Sequence, residues 1–255
     1  MLLLNHIVFN NVFLDEVNST NDYAANLIAK SNPIEGTVIT ASLQTAGKGQ
    51  IGRRWFSKRD QNVLCSIILY PKFLQATDQF QLNIAVSLAI YDLIDYYTEL
   101  ADIKIKWPND IYIGNRKIGG LLIQNSILGK SIHSAIIGAG ININQTSFPI
   151  DIPNPTSLQL TTGNTLSLDQ VRGWLFRFMT KRYLQLKHGM MKVMKKEYLQ
   201  NLYLLDVLAN YQDAEGNVFQ GKIKTVGDTG KLVIEMVGGT KRSFNFKEIR
   251  FIGEQ

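Results

Sequence analysis

"IKIKWPNDIYIGNRKIGGLLIQ", Ile103 to Gln124, decides the fold class. Ile103, Ile105 and Trp107 alternate with Lys104 and Lys106, the period-two pattern of a strand with one buried face, and Pro108-Asn109 then turns the chain. Gly114-Asn115, between "IYI" and "RKIGGLLIQ", is a tight two-residue hairpin signal, because such turns need residues that tolerate positive φ. A hairpin makes its strands antiparallel, whereas a doubly wound dinucleotide fold alternates parallel strands with crossover helices. Strands that form hairpins beside helices predict an α+β chain: a mixed, largely antiparallel sheet flanked by helices.

Outward from this segment the same patterns recur. Upstream, "NVFLDEV" reads as a short strand, and Ser19, Thr20 and Asn21 are candidate caps for a helix whose apolar face is Tyr23, Leu27 and Ile28. "GTVITASLQ" and "NVLCSIILYP" are strands. Leu82, Ala85, Val86, Ala89, Ile90, Leu93 and Ile94 predict a long amphipathic helix over residues 79–99, packed on the sheet. Downstream, "SIHSAIIGAGININ" is a strand, "DIPNPTSLQL" a proline-marked loop, and residues 168–202 carry two helical patterns. The last segment has short strands separated by Glu215-Gly216-Asn217, Asp228-Thr229-Gly230 and Gly238-Gly239, the spacing of a small β-barrel. The expected organisation is one domain over residues 1–204 and a second over residues 205–255.

Composition excludes several classes. With 45% hydrophobic and 19% charged residues among 255, the chain can bury a substantial core, so disorder is excluded. A net charge of +6 suits anionic partners such as nucleotides, acidic proteins or nucleic acid, without choosing among them. The single cysteine, Cys65, lies in an apolar run and reads as a small buried hydrophobe. His6, His133 and His188 are isolated and form no metal-ligand pattern. The first Lys or Arg is Lys30, so no targeting peptide is expected, and no apolar stretch is long enough to span a bilayer. The expected location is cytoplasmic.

"TAGKGQIGRRW", Thr45 to Trp55, gathers three glycines and three cations. It fails the Walker pattern, since Gly47-Lys48 is followed by Gly49. Glycines at 47, 49 and 52 match a dinucleotide fingerprint, but "RRWFS" follows where a helix should open. From the residues alone, a solvated loop and an anion clamp both remain open.

The order of the motifs carries more than any one of them: S-T-N at 19–21, Q-T-A-G-K-G-Q-x-G-R-x-W from Gln44, K-W-P-N-D at 106–110, K-I-G-G-L-L from Lys117, and G-A-G-I-N-I-N at 138–144. From about residue 11 to its C-terminus this series resembles the biotin protein ligases. The resemblance implies the sheet architecture shared by class II aminoacyl-tRNA synthetases and biotin ligases, with an SH3-like C-terminal barrel. It also implies an ATP-dependent activation of biotin to biotinyl-5′-AMP, followed by transfer to a lysine of a biotin carboxyl carrier protein or domain of a carboxylase. Mg²⁺ would accompany ATP, possible at Asp110.

Carried over residue by residue, the resemblance gives Lys117, Arg53 and Asp110 catalytic roles. Biotin would be bound by Ser19, Thr20, Asn21, Gln44, Gly47, Lys48, Gly49, Gln50, Lys117, Gly120 and Gly138. ATP or the adenylate would be bound by Lys48, Arg53, Trp55, Lys106, Asn109, Lys117 and Asn142. These types fit the chemistry: hydroxyls and amides complement a ureido ring, and cations with backbone N–H groups stabilise phosphoryl and carboxyl oxygens. Helix capping competes as an explanation for Ser19 to Asn21. Core packing competes for Trp55 and is the expected role of Trp107.

The pattern departs from the resembled family at Lys48 and Gln50, where that family commonly has Arg, and at Gln124, where Glu is common. Only 18 residues precede Ser19, so the single-function type without a DNA-binding domain is expected, as a monomer or homodimer with no membrane partner. The rivals are a lipoate-type acyl ligase, whose Arg-Arg-x-x-Gly-Gly-Gly run is absent, and a basic nucleic-acid-binding module built on the small barrel.

Overall fold

The computed structural model describes residues 9–50, 52–99 and 101–253; the apolar opening of the chain, His6 included, lies outside them. The first strand, β1 (Asn10–Val17), leads into α1 (Thr20–Ser31), which crosses to β2 (Thr37–Gln44). β1 and β2 pair in parallel, a relationship that the hairpin signals do not reveal. Ser19 caps α1 by accepting the Asp22 N–H at 3.5 Å, and the helix ends at Asn32 in the left-handed region, φ 42°.

The remaining strands of the main sheet are β3 (Asn62–Leu69), β4 (Ile103–Lys106), β5 (Asp110–Ile113), β6 (Arg116–Leu128) and β7 (Ser131–Asn142). The order is β1-β2-β3-β7-β6-β5-β4, and every pairing after the first is antiparallel. The mixed, largely antiparallel sheet is therefore as expected. Ile113 pairs with Arg116 across the turn at Gly114, whose φ of 55° is the conformation that the Gly-Asn signal calls for. The Trp107–Pro108 peptide between β4 and β5 is cis.

Alternation along the strands separates two faces. Val63, Cys65, Ile67, Ile137, Ala139 and Ile141 enter the main core beneath α2 (Gln79–Thr98). Ile68 and Ile136 face the opposite side, beside Ala24 of α1. α2 is not amphipathic as its pattern suggests: every residue from Leu82 to Ile90 is buried. It is buried all round because α4 (Leu168–Lys187) packs on its outer side, after the short α3 (Leu158–Thr162).

Arg182 of α4 ties this layer together. Its guanidinium donates to Asp92 of α2 at 2.9 Å and to Glu197 of α5 (Met191–Gln200) at 2.6 Å. The arginine is buried, so the two carboxylates balance a charge that burial alone would make very unfavourable. Those contacts hold its protonated form more firmly than usual, against the opposing effect of burial.

A second sheet follows: β8 (Leu208–Asp213), β9 (Val218–Val226), β10 (Leu232–Met236), β11 (Lys241–Phe244) and β12 (Ile249–Ile252), ordered β11-β10-β9-β8-β12 and antiparallel throughout. This is consistent with an SH3-like fold. Among the described residues no ladder joins β11 to β12, so the expected barrel is present as a five-stranded sheet without closure; both outer strands have only four residues. The linker covers the β4 edge, with Ile105 N–H donating to Asn201 O at 2.8 Å and Tyr203 N–H to Ile105 O at 2.9 Å. Trp107 is buried, as expected, and its indole N–H reaches Gly230 O of the second sheet at 2.9 Å. Among the described residues no helix is long and apolar enough to cross a membrane.

Candidate active site

Glycines on β6 and β7 make a flat floor on the α1 side of the sheet. Gly120 pairs with Gly140, and Leu122 with Gly138, which pairs in turn with Ser66 of β3. The absence of side chains there lets two groups lie directly on the strand. A Cβ at 138 would stand 2.3 Å from Asn21 Oδ1, and one at 140 would stand 2.5 Å from Trp55 Cε2.

At one end of this floor, the start of α1 forms a polar cluster. Ser19, Thr20 and Asn21 are all buried. Thr20 donates its backbone N–H to Gln44 Oε1 at 2.8 Å, with its hydroxyl 3.1 Å from the same oxygen. Asn21 donates its amide to Leu122 O at 3.2 Å and to Gln124 Oε1 at 3.1 Å. The cap at Ser19 and the cluster coexist, so the competing explanations are both present in one turn of helix. Ser66, which also meets Thr20 and Asn21, carries no sequence signal because it sits inside the buried run of β3.

At the other end, Lys117 Nζ lies 2.7 Å from Asp110 Oδ1. Neither group is fully buried, with side-chain exposures of 29% and 21%. Gly120 leaves the room for them, since a Cβ at that position would be 3.2 Å from Asp110 Oδ1. The Lys117 backbone is clamped by the following loop: its N–H donates to Asn154 O at 2.7 Å, and its carbonyl accepts from Thr156 N–H at 2.9 Å. Asn142 fixes that loop by donating to Thr156 O at 2.9 Å, while its Oδ1 is buried without a partner. A buried acceptor without a protein partner is a place where a ligand or an ordered water can bind.

Between these ends, the glycine-rich segment folds back as a small hairpin. Gly49 N–H donates to Arg53 O at 2.8 Å, Trp55 N–H to Gly47 O at 2.9 Å, and Arg53 N–H to Gln50 O at 3.2 Å, with Gly52 at φ 75°. The hairpin itself demands the first glycine, because a Cβ at Gly47 would lie 2.6 Å from Trp55 O. Gly49 is tight against Arg53 in the same way, at 3.3 Å. Lys48 forms an ion pair with Asp22 of α1 at 2.8 Å, whereas Arg53 and Arg54 are exposed. Trp55 carries the hairpin onto the floor, its ring 5.7 Å from Lys117 Nζ and its indole N–H buried without a partner.

Two expected residues sit differently. Asn109 turns its amide inward to the Leu121 carbonyl, and its own carbonyl accepts Leu121 N–H at 2.9 Å, so it braces the Asp110 turn. Lys106 lies opposite Asp110 in the β4–β5 ladder, but its ammonium is packed among the rings of Tyr112, Tyr203 and Phe251, 4.8, 5.6 and 5.0 Å from their centres. Among the described residues no group of three or more His, Cys, Asp or Glu could hold a metal ion.

The arrangement is a trough with a polar amide and hydroxyl cluster at one end, a buttressed lysine–aspartate pair at the other, and an aromatic lid between. Residues 13–142, which contain all three parts, match the model of the biotin/lipoate A/B protein ligase family. The chain belongs to this family. Among its relatives, the bifunctional ligase/repressor BirA of Bacillus subtilis is 32% identical over 248 residues, 94% of this chain and 72% of that protein. The biotin–[acetyl-CoA-carboxylase] ligase of Mycobacterium tuberculosis is 24% identical, covering 89% of this chain and 85% of the relative. Among solved structures, the biotin protein ligase of Aquifex aeolicus in complex with biotin and ATP superposes with a TM-score of 0.79 at 26% identity, over 95% of this chain and 98% of that one. The five-stranded second sheet falls within that superposition's reach, so both sheets of this family member share the ligase architecture.

Proposed function

We propose that this chain joins biotin to ATP and then passes it to a lysine of a biotin carboxyl carrier domain. The observation that carries this reading is the lysine–aspartate pair, 2.7 Å apart, set at one end of a glycine floor whose other end presents hydroxyls and amides. In the first step, a biotin carboxylate oxygen attacks the α-phosphorus of ATP; the new C(O)O–P bond forms as the bond to pyrophosphate breaks. In the second, the carrier amine attacks the acyl carbon, loses a proton and expels AMP.

Lys117 supplies the charge for both steps. Its ammonium has three donors, so it can keep Asp110 and still reach a carboxylate and a phosphate oxygen. Asp110 and the clamped backbone hold it in place beforehand, which is what makes electrostatic stabilisation effective. Thr20, Asn21 and Gln44, with Ser19, are the ring-recognition group of this reading. Trp55, Asn142 and the cations of the hairpin, Lys48, Arg53 and Arg54, serve the nucleotide. Lys106 acts on the phosphates only if its ammonium leaves the aromatic rings, and Gln50 adds no charge.

The donor set fits Mg²⁺ delivered with ATP, since that ion is commonly held by one or two carboxylates together with substrate phosphates. Asp110 would hold it, through the oxygen that Lys117 leaves free. Such an ion would supply positive charge that offsets the charge on the phosphate oxygens. In this reading residues 1–204 are the ligase domain and 205–255 an appended domain, whose Gly230 carbonyl accepts the Trp107 indole N–H.

The experiment is to incubate the purified chain with ATP, Mg²⁺ and a biotin carrier domain. Mass spectrometry should find biotin on a single carrier lysine when biotin is supplied. Modification only when lipoate replaces biotin would overturn the reading.

A further inference from the structure

Ser66 is fully buried on β3, and its hydroxyl oxygen lies 2.6 Å from Asn21 Oδ1 and 2.7 Å from Thr20 Oγ1. A hydroxyl carries one proton, so only one of these contacts can be a donation from Ser66. Asn21 decides which. Its amide lies between Ser66 on one side and the Leu122 carbonyl, at 3.2 Å, on the other. A backbone carbonyl can only accept, so the Asn21 nitrogen must face Leu122 and the Asn21 oxygen must face Ser66. Two oxygens 2.6 Å apart need a proton between them, and Asn21 Oδ1 has none to offer. The Ser66 proton therefore belongs to Asn21.

The rest of the chain of bonds follows. Ser66 must accept from Thr20, so the Thr20 hydroxyl proton turns to Ser66 at 2.7 Å and away from Gln44 Oε1 at 3.1 Å. Gln44 retains the backbone N–H of Thr20 at 2.8 Å. Asn21 cannot relax out of this arrangement toward the sheet, because its oxygen already rests on Gly138. With its proton directed to Ser66, Thr20 Oγ1 keeps both lone pairs, and Asn21 Oδ1 keeps one. The end of the trough thus offers acceptors to whatever lies above it. Acceptors complement ring N–H groups.

We propose that Ser66 is a positioning residue: by fixing one direction for the Thr20–Ser66–Asn21 bonds, it makes this end of the trough an acceptor surface for the N–H donors of a cyclic urea. This rests on the reading of the trough as a biotin site and adds to it a residue that touches no ligand. Without the Ser66 hydroxyl, the Thr20 proton is free to turn to Gln44 and Asn21 loses the donor that holds its oxygen.

The test is made on the full chain. Ser66→Ala should raise the calorimetric Kd for biotin about tenfold, the loss that follows from one buried amide left short of a donor. Its kcat at saturating biotin and its KM for ATP should stay within about twofold of wild type, the signature of lost binding rather than lost chemistry. Ser66→Thr, which restores the hydroxyl, should recover most of the affinity. Ser66→Cys, nearly the same size but a weak donor, should fall between Ala and wild type, and decides the matter should the alanine variant fail to fold. Wild-type affinity for biotin in Ser66→Ala or Ser66→Cys would overturn the proposal, as would a rise in KM for ATP matching the rise in Kd for biotin. A wild-type chain with no affinity for biotin would instead overturn the ligase reading.

Discussion

Lys117 Nζ lies 2.7 Å from Asp110 Oδ1, and the pair packs closely over residue 120, where a Cβ would come within 3.2 Å of Asp110 Oδ1 and 3.4 Å of Lys117 Nζ. Gly120 is paired across the ladder with both Asp110 and Gly140, so one row of the sheet links the ion pair to the floor beneath Trp55. The ion pair and the clearance beneath it are thereby set by register, while the lid is carried by the glycine-rich hairpin.

Lys117→Ala should lose about a hundredfold or more in the rate of adenylate formation, as when a preorganised electrostatic donor is removed. Melting temperature should change only modestly, because Asp110, partly exposed at 21%, stays within reach of water once the lysine is gone. Rapid-quench measurement of pyrophosphate release checks the first, and thermal unfolding the second. A rate within about threefold of wild type would remove Lys117 from the chemistry.

Gly138→Ala should weaken biotin binding and also lower stability by about 1–3 kcal/mol, since its Cβ would meet Asn21 Oδ1 at 2.3 Å and force the amide upward. Calorimetry with biotin and urea unfolding of the same variant check both effects. Unchanged biotin affinity would show that Asn21 does not govern the site.

The hairpin around Gly114-Asn115, the strand "GTVITASLQ" and the two helices in 168–202 were legible because local turn chemistry and periodicity determine them. The parallel pairing of β1 with β2 was not, since register between distant strands leaves no local signal. The residues of the glycine-rich segment leave a solvated loop and an anion clamp open, and the fold adds a requirement of its own: Gly47 is demanded by the carbonyl of Trp55 eight residues later, within the hairpin. Lys106 and Asn109 fall in the most specific motif, yet one ammonium is packed among aromatic rings and one amide braces a turn, because burial by the second sheet and by β6 cannot be read from the motif. Ser66 carries no signal within its apolar strand, and only its neighbours from α1 give it a role.

Arg182→Ala should destabilise the chain by about 3–5 kcal/mol, because it leaves Asp92 and Glu197 facing each other without their shared cation. Arg182→Met combined with Asp92→Leu and Glu197→Leu should restore most of that loss, since a buried ionic cluster is often no more stabilising than apolar side chains of similar volume. Urea unfolding of the four proteins, counting wild type and Asp92→Leu alone, checks the pair of expectations. A small loss in Arg182→Ala would mean that water reaches the carboxylates.

Burial pushes the Cys65 thiol up to about 12, with Arg172 opposing weakly. The native chain should therefore resist iodoacetamide at pH 8, where the unfolded chain reacts, because only the thiolate is nucleophilic. The sign of the linkage is set by the same shift: as pH rises from the ordinary thiol range toward 12, the unfolded state loses the proton first, so this group lowers stability with increasing pH. Alkylation followed by mass spectrometry, with and without urea, checks it. Rapid labelling of the native chain would show that β3 opens.

The most direct test of the central claim is isotope exchange between pyrophosphate and ATP, run with the purified chain and no carrier protein. Because adenylation precedes and does not require transfer, biotin alone should start the exchange, lipoate should not, and Lys117→Ala should suppress it. No exchange with biotin, or exchange that lipoate supports and biotin does not, would contradict the account.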